Sequence, residues 1–288
     1  MKHLQLLVLL ILTVSCSGTK HITQTAPKET SKGKTNDSVI IQTKTVKDNP
    51  EIITAENNKP EVQVPSIASE TVETEAFNHI LWHELLQKHV SNKGHVNYKA
   101  FKANRNDLQK YILLLSENLP NKIWSKEDKL AYWINAYNAM TVDLITRHYP
   151  IKSIKDIKKP WDQRFWKLGN KWYNLNEIEH DILRQMDEPR IHFAIVCASF
   201  SCPKLQNEAF TASNIETQLT HATKGFLSDS ERNSISENSL ELSKIFQWFA
   251  KDFIQEGSLI DFLNQYSDIK ISDSAKKRFR DYNWDLNE

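Results

Sequence analysis

The chain has 288 residues, of which 40% are hydrophobic and 25% charged, and its formal net charge is +1. This balance is typical of a globular protein and gives no electrostatic reason to expect a nucleic-acid partner. Six glycines, nine prolines and three cysteines exclude collagen-like, Gly-rich and disulfide-built architectures.

The amino terminus has the pattern of an export signal. A short basic start precedes an apolar run from Leu4 to Val14, which is too short for a membrane span of about 20 residues. The Thr-Val-Ser-Cys sequence that follows resembles a bacterial lipoprotein processing site, which implies cleavage before Cys16 and lipidation of its thiol. We therefore expect residues 1–15 to be a signal peptide and Cys16 to be a membrane anchor. Ser17 favours the outer membrane, with the protein facing the periplasm or the cell surface.

Residues 16–76 have a different composition from the rest. Every Phe, Trp and Tyr lies at or beyond Phe77, and the segment is rich in Thr, Lys, Ser, Glu, Asn and Pro. Such a segment cannot bury enough apolar surface to offset its chain entropy. We expect a disordered linker that carries a single globular domain at 77–288.

Apolar spacing predicts several helices in this domain. Two of them lie near 77–86 and 108–115. A longer helix begins after Ser125, where a capping-box pattern starts, and ends before Pro150. Its long apolar stripe predicts that it crosses the middle of the fold.

The second half of the domain mixes strand and helix patterns. A hairpin is indicated at Gly169–Asn170, a helix carrying His180 after Asn176, and a buried strand at 190–197. A capped helix is expected at Ser213, and a second hairpin at 234–243. These elements predict an α+β fold, a helix-rich single domain around a small, mostly antiparallel sheet.

Reactive side chains concentrate between residues 180 and 202. On a regular strand His192 points away from Cys197, so His180 is the better candidate for a general base beside that thiol. Cys202 directly precedes Pro203, which is favoured at the first position of a helix. As the N-cap of such a helix, Cys202 would have a lowered thiol pKa.

Two other interpretations of the cysteines remain open. After export, Cys197 and Cys202 are an even pair in an oxidising compartment, which favours a structural disulfide between them. Alternatively, the two thiols and the imidazoles of His180 and His192 are a possible ligand set for a metal ion.

Four further polar residues have helical spacing. Asn135 and Asn138 lie one turn apart on the central helix, where a buried amide either fixes the backbone of a loop or orients a catalytic histidine. His79 and His83 have the spacing of metal ligands, but the His-Glu-x-x-His motif is not completed. We interpret both histidines as surface residues.

The motifs of the domain resemble a family, domain of unknown function 547. The resemblance covers nearly all of residues 90–288 and implies no activity, because none is established for the family. The motif positions that we single out are His180, His192, Cys197, Asn135 and Asn138. The matching stretches are Val96–Ala100, Ala131–Ala139, Tyr149–Pro150, Ser153–Ile157, Ile178–His180, Arg190–Ala194, Cys197–Ser199, Ser201–Pro203, Leu242–Phe246 and the Tyr-Asn-Trp-Asp-Leu-Asn ending.

The sequence leaves three functions open. The first is a thiol-dependent hydrolase or acyl transferase on an envelope peptide or amide, with Cys197 or Cys202 as nucleophile, His180 as base and Asn135 or Asn138 as an orienting group. The second is a non-catalytic module that binds or scaffolds an envelope peptide or protein through aromatic side chains. The third is a metal-binding domain. Since no Gly-rich phosphate loop occurs, we expect no organic cofactor.

Overall fold

The computed structural model describes residues 75–288, and these belong to one compact unit. The predictions for the signal peptide, for Cys16 and for the linker up to residue 74 lie outside the described residues. Within 75–288, no helix combines the length and the hydropathy that crossing a bilayer requires.

Helices form most of the described fold, joined by short 3₁₀ turns. The α-helices found between residues 75 and 288 are α1 (Ile80–His89), α2 (Tyr98–Ala103), α3 (Arg105–Glu117), α4 (Lys126–His148), α5 (Leu175–Glu177), α6 (Ile215–Ser228), α7 (Ile245–Trp248) and α8 (Leu259–Tyr266).

The central helix α4 has the bounds that the capping pattern at Ser125 and the apolar stripe predict. The Ser125 side chain accepts a hydrogen bond from the Asp128 N–H at the start, and basic residues lie in the last turn. All side chains from Leu130 to Thr146 are buried. A helix that is buried all round is a core element, and α4 packs against α2, α3 and the segments that carry the site.

The strands form two small sheets rather than one. Strands β1 (Trp166–Leu168) and β2 (Lys171–Tyr173) are an antiparallel hairpin whose turn uses Gly169 at φ +55°. The second sheet has the order β3 (Ser234–Ile235), β4 (Ser239–Leu242), β5 (Lys276–Phe279). The β3–β4 pair is antiparallel and the β4–β5 pair parallel. The α+β prediction and both hairpins are confirmed.

The strand predicted at 190–197 is wrong. Pro189–Phe193 is a 3₁₀ helix, and the chain from 194 to 202 is irregular. Pro189 begins the helix, and the Glu188 side chain accepts a hydrogen bond from the Arg190 N–H at its start. The segment is apolar because it is buried: its 3₁₀ helix packs against α6, and Asn138 of α4 binds the backbone of Ala194 and Val196. A short apolar run does not distinguish a strand from a buried helical turn.

The helix that carries His180 begins two residues earlier than predicted. Its capping box is formed by Asn174 and Glu177 rather than by Asn176 and Glu179. The three residues of α5 continue directly into a π-helical segment, Ile178–Ile182. A π-helical turn is frequent at functional sites, and this one displaces His180 from the register of a regular α-helix.

Two further local predictions need correction. Ser213 does not cap α6, because its hydroxyl donates to Glu75 Oε1 (2.8 Å) while Ala212–Asn214 forms a 3₁₀ turn. The short helix expected at Pro203 is also wrong, since residues 203–206 have no regular secondary structure.

Candidate functional site

One cavity of about 190 Å³ brings the four reactive residues of the sequence together. Cys197, Cys202, His180 and His192 all line it, so His192 does not point away from the thiol as the strand model required. The other side chains that line this cavity are Tyr137, Trp161, Asn176, Glu179, Ile195, Val196, Pro203, Ile245, Trp248, Phe249, Tyr282 and Trp284.

The loop before Cys197 is fixed by an amide on α4. Asn138 Nδ2 donates to Ala194 O (2.9 Å), and its Oδ1 accepts from Val196 N–H (3.0 Å). Asn138 is buried at 1% exposure, so both bonds are shielded from water. Asn138 therefore positions the loop backbone, and the amide contacts no histidine.

Asn135 does the same for a different segment. Its Nδ2 donates to Phe210 O (2.7 Å), and its Oδ1 accepts from Phe210 N–H (3.0 Å). Both asparagines thus fix backbone, which is the first of the two roles the sequence left open.

The irregular segment 194–202, which carries both cysteines, is called the cysteine loop. The carboxyl-terminal segment supports this loop from the side opposite Asn138. Phe200 N–H donates to Asp285 O (2.7 Å), and Ser201 N–H donates to Asn283 O (3.2 Å). These bonds bring Tyr282 beside Cys197. The residue after the cysteine, Ala198, has φ +59°, a left-handed conformation that disfavours any residue with a Cβ.

Three hydrogen-bonding groups surround the sulfur of Cys197. The Cys202 thiol lies 2.8 Å away, the Ser199 hydroxyl 3.0 Å and the Tyr282 hydroxyl 3.2 Å. Burial alone would raise the pKa of the Cys197 thiol, but these hydrogen bonds stabilise the thiolate and lower its pKa to about 7. Cys197 is partly exposed and therefore has the features of a reactive thiol.

Cys202 is the protonated partner. Burial raises the pKa of its thiol well above the ordinary value, so Cys202 donates to Cys197. Its sulfur also accepts the Cys197 N–H (2.8 Å). Both cysteines are free thiols in the structure, which therefore does not support the predicted disulfide. The lowered pKa expected for Cys202 as an N-cap is also wrong, because no helix begins there.

His192 is held by a carboxylate. Its Nε2 lies 2.8 Å from Asp252 Oδ2, and its ring stacks on Phe249 with centroids 4.0 Å apart. Burial would raise the pKa of Asp252, but hydrogen bonds from His192 and Arg184 hold that pKa well below its usual range. Asp252 is therefore a carboxylate at neutral pH, and it fixes His192 with Nδ1 left for a second partner.

His180 has a different environment. Arg184 Nη1 lies 2.9 Å from His180 Nδ1, and because a guanidinium only donates, this nitrogen is the acceptor. Arg184 also binds both carboxylate oxygens of Asp252, at 2.6 and 2.8 Å. The accepting lone pair of His180 is thus occupied, and a neutral His180 carries its proton on Nε2.

The four predicted ligands do not form a metal centre. Among residues 75–288, no group of three or more His, Cys, Asp and Glu side chains is arranged to hold a metal ion. The metal-binding alternative therefore has no structural support within this part of the chain.

Several site residues were not found from the sequence. Asp252, Arg184, Ser199, Tyr282 and Glu179 all contact or line the site. Glu179 lies within a motif of the family resemblance, and Tyr282 lies in the matching ending. No pattern in the sequence connected either of them, or Asp252, with Cys197.

A family model matches residues 121–227 and is described as DUF547, protein of unknown function. The match supports the DUF547 family. It spans α4, the first hairpin and the cysteine loop, but ends before Asp252 and Tyr282. No curated protein and no solved structure shows a significant match to the chain. The DUF547 match thus includes both histidines and both cysteines of the cavity but assigns no activity to them.

Proposed function

We propose that this DUF547 domain is a thiol-dependent acyl-transfer enzyme, a hydrolase or acyl transferase acting on a peptide or amide. One observation carries the proposal. The thiol with a lowered pKa, Cys197, lines the same cavity as an imidazole that is held by a carboxylate, His192 with Asp252. A nucleophile, a base and a group that orients the base are the three parts of a thiol acyl-transfer site.

The structure favours different roles from those expected on sequence alone. Cys197 is the nucleophile and Cys202 its hydrogen-bond donor, since only Cys197 has a lowered thiol pKa. His192 is the general base in place of His180, because Arg184 occupies the accepting nitrogen of His180. Asp252 orients His192 and stabilises the imidazolium.

The reaction follows from these roles. His192 Nδ1 takes the Cys197 proton, and the thiolate sulfur attacks the carbonyl carbon of the substrate. A C–S bond forms and the C–N bond of the amide breaks, while the imidazolium gives its proton to the departing amine. Water or a second amine then attacks the thioester carbonyl carbon, and its proton passes to His192. The C–S bond breaks, and the imidazolium returns the proton to the departing Cys197 thiolate.

A non-catalytic binding module is the rival interpretation. Aromatic side chains line the cavity, including Trp161, Trp248, Phe249 and Trp284, and such a surface also suits a passive ligand site. Simple binding gives no reason, however, for a thiol with a lowered pKa in the same cavity as a fixed imidazole.

A burst assay with p-nitrophenyl acetate separates the two functions. We expect the full chain to release one equivalent of nitrophenolate per protein in a fast phase, as Cys197 is acylated. Cys197→Ser should abolish the fast phase, whereas Cys202→Ser, which keeps a donor at that position, should retain it. A wild-type protein without a fast phase, or one whose fast phase survives Cys197→Ser, would contradict the enzyme.

We also propose that the protein works at a membrane of the cell envelope, anchored by lipid on Cys16. The support is the apolar run and the cysteine of the amino-terminal sequence. Cys16→Ala is expected to move the protein from the membrane pellet to the soluble fraction. Continued sedimentation of that variant with membranes would contradict the anchor.

A further inference from the structure

The cavity contains one carboxylate that the proposed reaction does not use. Glu179 lies on the π-helical segment next to His180, lines the cavity with Cys197 and is only 8% exposed. Its Oε2 accepts a hydrogen bond from the Tyr137 hydroxyl at 2.9 Å. Burial raises the pKa of Tyr137 well above its ordinary value, so Tyr137 is a neutral donor.

Glu179 forms no salt bridge in the described part of the chain, although the charge of Arg184 acts on it from a greater distance. No lysine, arginine or histidine nitrogen between residues 75 and 288 forms a salt bridge with it. The nearest arginine along the segment, Arg184, is committed to Asp252 and His180. The other buried carboxylate among residues 75–288, Asp143, is paired with Arg105 and Arg147.

A buried carboxylate with one neutral donor is incompletely satisfied. Removing a charged group from water is unfavourable unless hydrogen bonds and an opposite charge compensate it. Hydrogen-bonded cations supply this compensation for Asp143 and Asp252, whereas Glu179 has only the more distant charge of Arg184. The carboxylate of Glu179 lines the cavity, where a ligand with a positive charge would provide the missing partner.

The remaining cavity walls suit the same ligand. The rings of Trp161 and Trp248 line the cavity, and aromatic faces attract cations. The volume of about 190 Å³ admits a small group such as an aminoalkyl chain rather than a folded partner.

We propose that Glu179 determines substrate specificity by binding an ammonium group, so that the substrate of the Cys197 thiol is an amine-bearing acyl compound such as a peptide with a free amino group. This inference rests on the proposed function, because it names the substrate class of the same site. Glu179 would hold the ammonium group while the substrate carbonyl lies at the Cys197 sulfur.

Two chloroacetamides test this without knowledge of the natural substrate. N-(2-aminoethyl)chloroacetamide carries an ammonium group at neutral pH, and N-propylchloroacetamide is a neutral compound of similar size. Each reacts as the Cys197 sulfur displaces chloride and forms a C–S bond. The measurement is the second-order rate constant of Cys197 labelling, followed by peptide mass mapping in the full chain.

We expect the cationic reagent to label the wild-type Cys197 roughly tenfold faster than the neutral one. Glu179→Gln should reduce this ratio to about one. Asp181→Asn is the matched control, because Asp181 is an exposed carboxylate on the same segment that does not line the cavity. It should leave the ratio unchanged.

The outcomes separate the inference from the proposed function. Equal labelling of Cys197 by both reagents in the wild type would overturn the ammonium site and leave the reactive thiol standing. An unchanged ratio in a folded Glu179→Gln variant would also overturn it. If neither reagent labels Cys197, both the inference and the proposed function are wrong.

Discussion

The imidazole of His192 and the carboxylate of Asp252 are joined at 2.8 Å although 60 positions separate them in the chain. His192 is 3% exposed and is stacked on Phe249, so its ring has little freedom to turn. Arg184 donates hydrogen bonds to both oxygens of the same carboxylate and so fixes its position. This arrangement places a fixed imidazole in the cavity that Cys197 also lines.

The two histidines of the cavity are expected to contribute unequally to acylation. His192→Gln removes the base and should slow the fast phase with p-nitrophenyl acetate by roughly a hundredfold or more. His180→Gln removes a ring whose accepting nitrogen is already occupied by Arg184, and the fast phase should change by less than about threefold. Stopped-flow absorbance of nitrophenolate measures both rates. A greater loss in His180→Gln than in His192→Gln would reverse the assignment.

Cys202 is expected to set the pKa of Cys197. In the wild type, alkylation of Cys197 by iodoacetamide should rise with pH through a midpoint of about 7, because only the thiolate reacts. Cys202→Ala removes the closest donor, so the midpoint should move to higher pH and the rate at pH 7 should fall. Cys202→Ser retains a donor and should shift the midpoint less. A midpoint that is unchanged in Cys202→Ala would show that Cys202 does not stabilise the thiolate.

The two asparagines of α4 provide a matched pair of variants, which test whether the backbone position of the cysteine loop controls the reactivity of Cys197. Asn138→Leu leaves Ala194 O and Val196 N–H without their partner, and should lower both the unfolding free energy, by about 1–3 kcal/mol, and the alkylation rate of Cys197.

Asn135→Leu is the control for this pair. It breaks the equivalent bonds to Phe210, so it should cost a similar stability but leave the alkylation rate of the folded protein unchanged. Urea unfolding and iodoacetamide kinetics measure the two effects separately. Equal losses of rate in both variants would argue against a specific positioning role for Asn138.

The buried His79 is expected to make the unfolding free energy of the protein sensitive to acid. It was expected at the surface, but it is 4% exposed and its Nδ1 lies 2.7 Å from the Tyr111 hydroxyl. Burial lowers the pKa of His79 from 6.5 to about 3. Between these values the unfolded chain binds more protons than the folded chain, so the unfolding free energy should decrease as pH falls from 6.5 towards 3.

His79→Gln tests this linkage. The variant cannot take up the proton, so its unfolding free energy should depend less steeply on pH across the same window. Urea unfolding at a series of pH values measures the slope. Identical slopes in the wild type and in His79→Gln would contradict a buried, neutral His79.

Local features of the sequence predicted the elements that depend on local physics. Ser125 and the apolar stripe that follows it define α4, because capping and helical periodicity involve residues a few positions apart. The Gly169–Asn170 turn defines the first hairpin in the same way. The strand β5, with mostly charged residues, has no alternating pattern and was not predicted.

The site was less predictable, because long-range packing assembles it. Residues 190–197 are mostly apolar because they are buried, with the 3₁₀ helix packed against α6, and the same apolar run is also typical of a strand. The error in turn separated His192 from Cys197. Tyr282 reaches the Cys197 sulfur from 85 positions along the chain, and no local spacing encodes that contact.

The most direct test of a Cys197 nucleophile is the position of the acyl group after reaction with p-nitrophenyl acetate and an acid quench. Peptide mass mapping of the full chain should find one acetyl group on Cys197 of the wild type and none on Cys202. It should find none at position 197 of the Cys197→Ser variant. It should also find much less in His192→Gln at the same reaction time. Acetylation confined to lysines, with Cys197 unmodified, would contradict the account.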